Sequence, residues 1–231
     1  PSEGVHYCGY PIAELAAFEP EDIVYLLFNK ELPNAEQSAA IRQDLAARAA
    51  VPGDLESVLK TLPKFGHPMD WLSVGIHTLG MMETTNDWKD DALNLIARMP
   101  RLMGLIFRIR EGREENIPAD DTSLSMVERF IRCLDLHDAN TEKMKRIIST
   151  YLVLHMDHGG GNLSTFAGKA IASSKATVYS AMAGAMNALS GPLHGRANQS
   201  CLEFVLKVGT SDPAEVEAFV RAELDAGRPI F

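Results

Sequence analysis

Apolar residues recur every three or four positions along almost the whole chain, and strictly alternating runs are scarce. That spacing is the helical period, so the chain is expected to be all-α, with apolar helix stripes buried against one another. Pro, Gly and Asn punctuate the pattern. Pro20 suits a first turn, Glu21 and Asp22 favour the positive end of the dipole, and EDIVYLLF follows as a helix. AEQSAAIRQDLAARAA comes after Pro33 and Asn34 and is ended by Pro52 and Gly53. DLESVLKTL is a short helix, and Pro68 opens PMDWLSVGIHTLGMM. A longer helix is expected over 87–110, kinked or broken at Pro100. Thr122 or Ser123 is placed as the cap of LSMVERFIRCLDL, and Thr141 begins EKMKRIISTYLVLHMDH. Further helices are expected over 164–173, 176–190, 195–208 and 213–226. The fourteen residues TVYSAMAGAMNALS are small enough to allow close backbone packing.

At 231 residues and 46% hydrophobic, the chain can bury a substantial core as one large domain or two small ones. Its 22 basic and 31 acidic residues give a net charge of −9, which argues against a nucleic-acid surface. An anionic small ligand held by a few local donors stays open. No run approaches the ~18 apolar residues of a membrane span, and no secretory signal is present. Cys8, Cys133 and Cys201 are widely spaced and odd in number. They form neither a zinc pattern nor a disulfide framework, which points to a reducing compartment. The chain starts at Pro1 and stops at GRPIF, so both ends read as cut.

Two segments carry candidate chemistry. The first is HMDHGGGN, residues 155–162. His155 and His158 are three apart and share a face if the helix runs that far. In the structural reading one histidine is hydrogen-bonded and the glycines stop the helix. A metal would need a further ligand, and neither HExxH nor a Cys/His cluster supplies one. An anion is the better ligand. Successive glycines let backbone N–H groups approach it, His158 can donate to a carboxylate, and Asn162 adds an amide. A helix starting near Asn162 would add positive potential. Asn162 and Ser164 also form an N-x-S glycosylation pattern, read as chance here.

The second segment is GPLHGRAN, residues 191–198. Gly-Pro breaks the preceding helix and puts His194 at or just before the next N-terminus, where the dipole favours a neutral imidazole. A neutral histidine can donate to a developing oxyanion, as one does in triosephosphate isomerase, and that suits proton abstraction beside a carbonyl. The alternative is a helix-capping histidine. His67 reads as a turn residue, His77 as a core or interface residue, and RIREGREEN as a solvated helix end. His6 and His137 carry no motif.

Taken in order, these motifs resemble the citrate synthase family. YCGYPIAELA is similar to the family's YRGYPIEELA, with Cys8 where arginine is usual. VYLLFNKELP, GHPMDWL, ARMPRLMGLIFRIREG and LSMVERFIRCL follow at family-like spacing. HMDHGGGNLS and GPLHGRAN are the most specific segments, with Gly159 where many members have glutamate. The resemblance implies an all-α homodimer, with residues 1–194 in a large helical domain and 195–231 opening a smaller one. It implies condensation of acetyl-CoA with oxaloacetate to citrate, with no metal or bound cofactor. His194 matches the enol-stabilising histidine, His158 an oxaloacetate-binding histidine, and Asn162 lies beside it. A second histidine and the aspartate base would lie beyond Phe231, so these residues alone are expected to be inactive. The implied location is the cytoplasm, or the mitochondrial matrix in a eukaryote. The alternatives are a 2-methylcitrate synthase using propionyl-CoA, and a non-catalytic helical paralogue acting as a binding or assembly module.

Overall fold

The structure, a computed structural model, describes residues 4–85, 87–135, 140–157 and 161–230. A small antiparallel hairpin, β1 (His6–Tyr7) and β2 (Tyr10–Pro11), precedes the helices. The sequence pattern held no sign of it, because strands this short show no period. Its two-residue loop has positive φ at both Cys8 (50°) and Gly9 (92°), the type I′ turn that suits strand twist. The short α1 (Ile12–Leu15) was also not expected.

Most other elements stand close to their expected positions. They are α2 (Pro20–Asn29), α3 (Ala35–Arg48), α4 (Gly53–Lys60), α5 (Pro68–Glu83) and α6 (Trp88–Arg110). After a 3-10 turn at Glu114–Asn116 come α7 (Met126–Leu134), α8 (Thr141–His155), α9 (Leu163–Ala172), α10 (Val178–Leu189), α11 (Ala197–Val208) and α12 (Pro213–Asp225). Two local expectations are corrected. Helix α6 continues through a buried Pro100 instead of breaking there, held on both sides by packing of Ala97, Leu102 and Leu105. The cap of α7 is Ser125, not Thr122 or Ser123. Ser125 forms a reciprocal box with Glu128, whereas Ser123 bonds to Asp121.

The central core lies between α4, α5, α6 and α10, around Leu59, Trp71, Ile76, Leu102, Ile109 and Tyr179. Close approach there depends on glycines. A Cβ on Gly80 would come within 2.5 Å of the Tyr179 Cβ, and one on Gly104 would collide with Cys133. A second cluster joins the hairpin, α1 and α2 to Val153 of α8, and a third joins α2, α3 and α6. Polar ties run between these layers. Buried Glu21 on α2 accepts from Met126 N–H of α7 at 2.8 Å. Glu83 of α5 accepts from the Tyr179 hydroxyl at 2.9 Å and pairs with Arg98 of α6. Burial pushes the Glu83 carboxyl up, and burial together with the Glu83 bond pushes the Tyr179 phenol up.

Of the two places expected for His77, core or interface, the core is ruled out, since it is exposed on α5 while its neighbours Ile76 and Thr78 are buried. Among the described residues, no helix is long and apolar enough to cross a membrane.

Candidate functional site

Asn162 is the N-cap of α9. Its Oδ1 accepts from Ser164 N–H at 2.9 Å, Thr165 N–H at 3.3 Å and the Ser164 hydroxyl at 2.5 Å. Asparagine serves here because its short side chain reaches the unpaired N–H groups of the first turn. The expectation of a helix beginning beside Asn162 is therefore met. With Oδ1 committed to the cap, the Nδ2 hydrogens are left for another acceptor.

Helix α9 lies tightly on α10. Gly168 brings the backbones so near that an added Cβ would sit 3.3 Å from that of Ala185, and one on Gly184 would collide with Ile171. The small residues of α10 thereby fix where the N-terminus of α9 stands relative to the turn that follows α10.

That turn is residues 191–196. His194 N–H donates to Gly191 O at 3.0 Å, and Arg196 N–H reaches the same carbonyl at 3.3 Å. Gly195 is required by space, since a Cβ there would lie 2.6 Å from the backbone oxygen of Leu189. Helix α11 begins only at Ala197, three residues after His194, and has no side-chain cap. The helix N-terminus that the His194 ring meets is that of α9. Ser164 N–H points at His194 Nε2 across 3.3 Å, and Ser164 Oγ lies 3.1 Å from the same nitrogen. A backbone N–H can only donate, so that bond forms when Nε2 carries no proton and Nδ1 is the ring's donor, whereas the Oγ contact suits the opposite tautomer while the hydroxyl hydrogen is on Asn162.

The structure thus brings His194 and Asn162 together through Ser164, thirty residues before the histidine. His158 lies outside the described residues. Reading the sequence did not single out Ser164. Its signal was the N-x-S triplet at a helix start, where the serine is the second helical residue and faces the cap.

An open cavity of about 1220 Å³ adjoins this cluster. Its wall includes Asn162 and Ser164 at the head of α9, Gly195 and Arg196 from the turn, and Met182 and Met186 from α10. His194 is half-buried and is not among the wall residues. His155, expected to be structural, is exposed and also lines the cavity. It stacks on Tyr151 with ring centres 4.1 Å apart, and its Nδ1 lies 2.6 Å from the Tyr151 carbonyl. His67 caps α5, its Nδ1 accepting from Met69 N–H at 3.2 Å, which leaves Nε2 to meet Gln199 of α11 at 3.3 Å. His67 is thus a turn residue, as expected, and a tie to α11 as well.

Comparison with known proteins gives one consistent answer. Residues 2–231 match the family model described as "Citrate synthase, C-terminal domain". The chain is 33% identical to citrate synthase 4, mitochondrial, of Arabidopsis thaliana, over 90% of this chain and 48% of that protein. It is 33% identical to the citrate synthase of Deinococcus radiodurans, over 97% of this chain and 60% of the relative. A 2-methylcitrate synthase, mitochondrial, of Yarrowia lipolytica is 28% identical over the whole chain and 55% of its own length. The crystal structure of citrate synthase from Thermotoga maritima superposes with a TM-score of 0.86 at 27% identity, covering 99% of this chain and 60% of that one. The chain therefore spans between about half and three fifths of the length of these relatives.

Proposed function

The chain belongs to the citrate synthase family, and from that premise we propose that it serves the condensation of acetyl-CoA with oxaloacetate and water to citrate and CoA. The observation that carries this reading is the Asn162–Ser164–His194 network at the head of α9. Abstraction of a proton from the acetyl methyl group places charge on the thioester oxygen. A neutral imidazole with its proton on Nδ1 would donate to that oxygen and stabilise the enol without a metal or a bound cofactor. The Ser164 N–H facing Nε2 supports that tautomer. The positive end of α9, His158 and the free amide hydrogens of Asn162 are proposed to receive the oxaloacetate carboxylates.

Replacing His194 with alanine in the full-length protein is expected to lower turnover by roughly 100- to 1000-fold, the cost of one oxyanion donor. Release of CoA thiol, followed at saturating acetyl-CoA and oxaloacetate, measures it. A near-normal rate rejects the role. Absence of any reaction in the wild type would favour the non-catalytic paralogue, and preference for propionyl-CoA over acetyl-CoA would favour a 2-methylcitrate synthase. The same assay on residues 1–231 alone tests the expectation that they do not turn over.

Two architectural proposals accompany this reading. Residues 195–231 open a smaller domain, supported by α11 and α12, which bury no residue. A second copy of the chain covers exposed apolar side chains such as Met81 on α5 and Phe166 on α9. Sedimentation at several concentrations checks the dimer, and a strictly monomeric full-length protein rejects it.

A further inference from the structure

We infer that Arg196 is an oxyanion-binding residue of the cavity, holding an anionic group of a substrate beside His194; this rests on the function proposed above. Arg196 is one of the residues of the cavity wall, with Asn162 and Ser164. The residue is half-buried, and its Nε is shut off from solvent without a hydrogen-bond partner. Among the described residues no carboxylate lies within ion-pairing distance of it, whereas buried Arg108 faces Asp135 at 3.4 Å and buried Arg129 faces Asp120 at 3.7 Å.

A cation drawn partly out of water is costly unless an anion or hydrogen-bond acceptors replace the lost solvent. Among the described residues of the neighbouring wall, no carboxylate is left for it. Lys169 and Lys175 on it add positive charge. Its one described carboxylate, Asp91, already accepts from the Thr84 hydroxyl and from the amide and hydroxyl of Thr85, each at 2.8 Å. The backbone of Arg196 is also fixed, its N–H on Gly191 O and its carbonyl receiving Gln199 and Ser200 N–H at 3.0 and 3.1 Å. A planar guanidinium launched from an ordered turn suits a two-point contact with coplanar or phosphate oxygens. Both proposed substrates present such groups. Oxaloacetate carries carboxylates, and the CoA thioester carries phosphates.

Calorimetric titration of the full-length protein with oxaloacetate, and separately with CoA, distinguishes the two sources. Arg196→Gln is expected to weaken one ligand on the order of tenfold to a hundredfold, the usual effect of losing a charged hydrogen bond. Arg196→Lys, which keeps the charge, is expected to restore part of it. Loss confined to oxaloacetate assigns a carboxylate, and loss confined to CoA assigns a phosphate. If the glutamine variant melts early, Arg196→Met, which keeps the aliphatic stem, repeats the measurement. Unchanged affinity for both ligands in a folded, uncharged variant overturns the inference and leaves the proposed function standing. A wild-type protein that binds neither ligand overturns the proposed function, and this inference with it.

Discussion

Helices α5 and α12 begin alike and end up in opposite environments. Each has proline in its first turn behind an N-cap whose side chain accepts from the backbone, His67 for α5 and Asp212 for α12. Helix α5 then buries seven residues, among them Trp71, Ile76 and Leu79, while α12 buries none. The nearest aromatic tie of α12 is Phe219, edge-on to Phe204 of α11 at 5.6 Å. A start signal therefore specifies where a helix begins and says nothing about what its apolar face will meet. Helix α5 is held by tertiary packing, and α12 by its own caps and pairs.

The sharpest way to break this contrast is to remove one large side chain from each helix. Trp71→Ala in α5 is expected to cost ~3–5 kcal/mol in chemical denaturation, because it empties a filled core. Leu224→Ala in α12, where the side chain is 56% exposed, is expected to stay within about 0.5 kcal/mol. Similar losses from the two would show that a surface absent from the described residues packs on α12.

The next test concerns the cap. Asp212 accepts from Ala214 and Glu215 N–H at 3.0 and 3.1 Å. Asp212→Ala is expected to cost about 1 kcal/mol of local helix stability. Amide exchange should speed up across α12 while α5 and α10 stay protected, because α12 can open without disturbing the core. A uniform rise across the chain would show instead that α12 unfolds together with the body.

The smallest effect is electrostatic. On α7, Lys145 of α8 donates to Glu128 at 2.8 Å, and with the Ser125 bonds it holds that carboxyl at about 2, below its ordinary 4.5. The same bond holds the Lys145 ammonium above its ordinary value. A lowered carboxylate contributes stability above its unfolded pKa and loses it as pH falls toward the folded one. The Glu128 contribution is therefore present above about 4.5 and fades toward about 2. Glu128→Gln should lower the melting temperature at neutral pH by the equivalent of no more than about 1 kcal/mol, the difference closing near the acid end of that window. On α12, Glu223 is lowered by its bond from Arg228, but the pair lies at the surface of a helix with no buried residue. Salt should erase its effect more readily than that of Glu128.

How much could be read beforehand follows the range of each interaction. The starts of α2, α5 and α12 were legible from Pro20, Pro68 and Pro213, since a first-turn proline acts within a few residues. Ser125 was missed because three hydroxyl residues, Thr122, Ser123 and Ser125, stand close together, and only Glu128 at the third helical position decides among them. The β1–β2 hairpin was missed because two-residue strands carry no alternation and Cys8 is an unusual residue at positive φ. Pro100 was read as a kink or a break because its missing N–H is a local fact, whereas the burial on both sides of it is not.

The site divides in the same way. Asn162 was legible as the neighbour of a helix start and His194 as the residue of a Gly-Pro turn, each from its own neighbours. Their meeting at Ser164 was not, because it spans thirty residues and depends on α9 lying against α10. The sequence by itself determined an all-helical chain and the places where its helices start, since periodicity and capping act over one or two turns. Only the tertiary structure decided that the Gly168 and Gly184 contacts bring α9 close enough for Ser164 N–H to face His194, and that Arg196 lines the same cavity. Those outcomes depend on which apolar faces bury each other, and no residue's near neighbours contain that information.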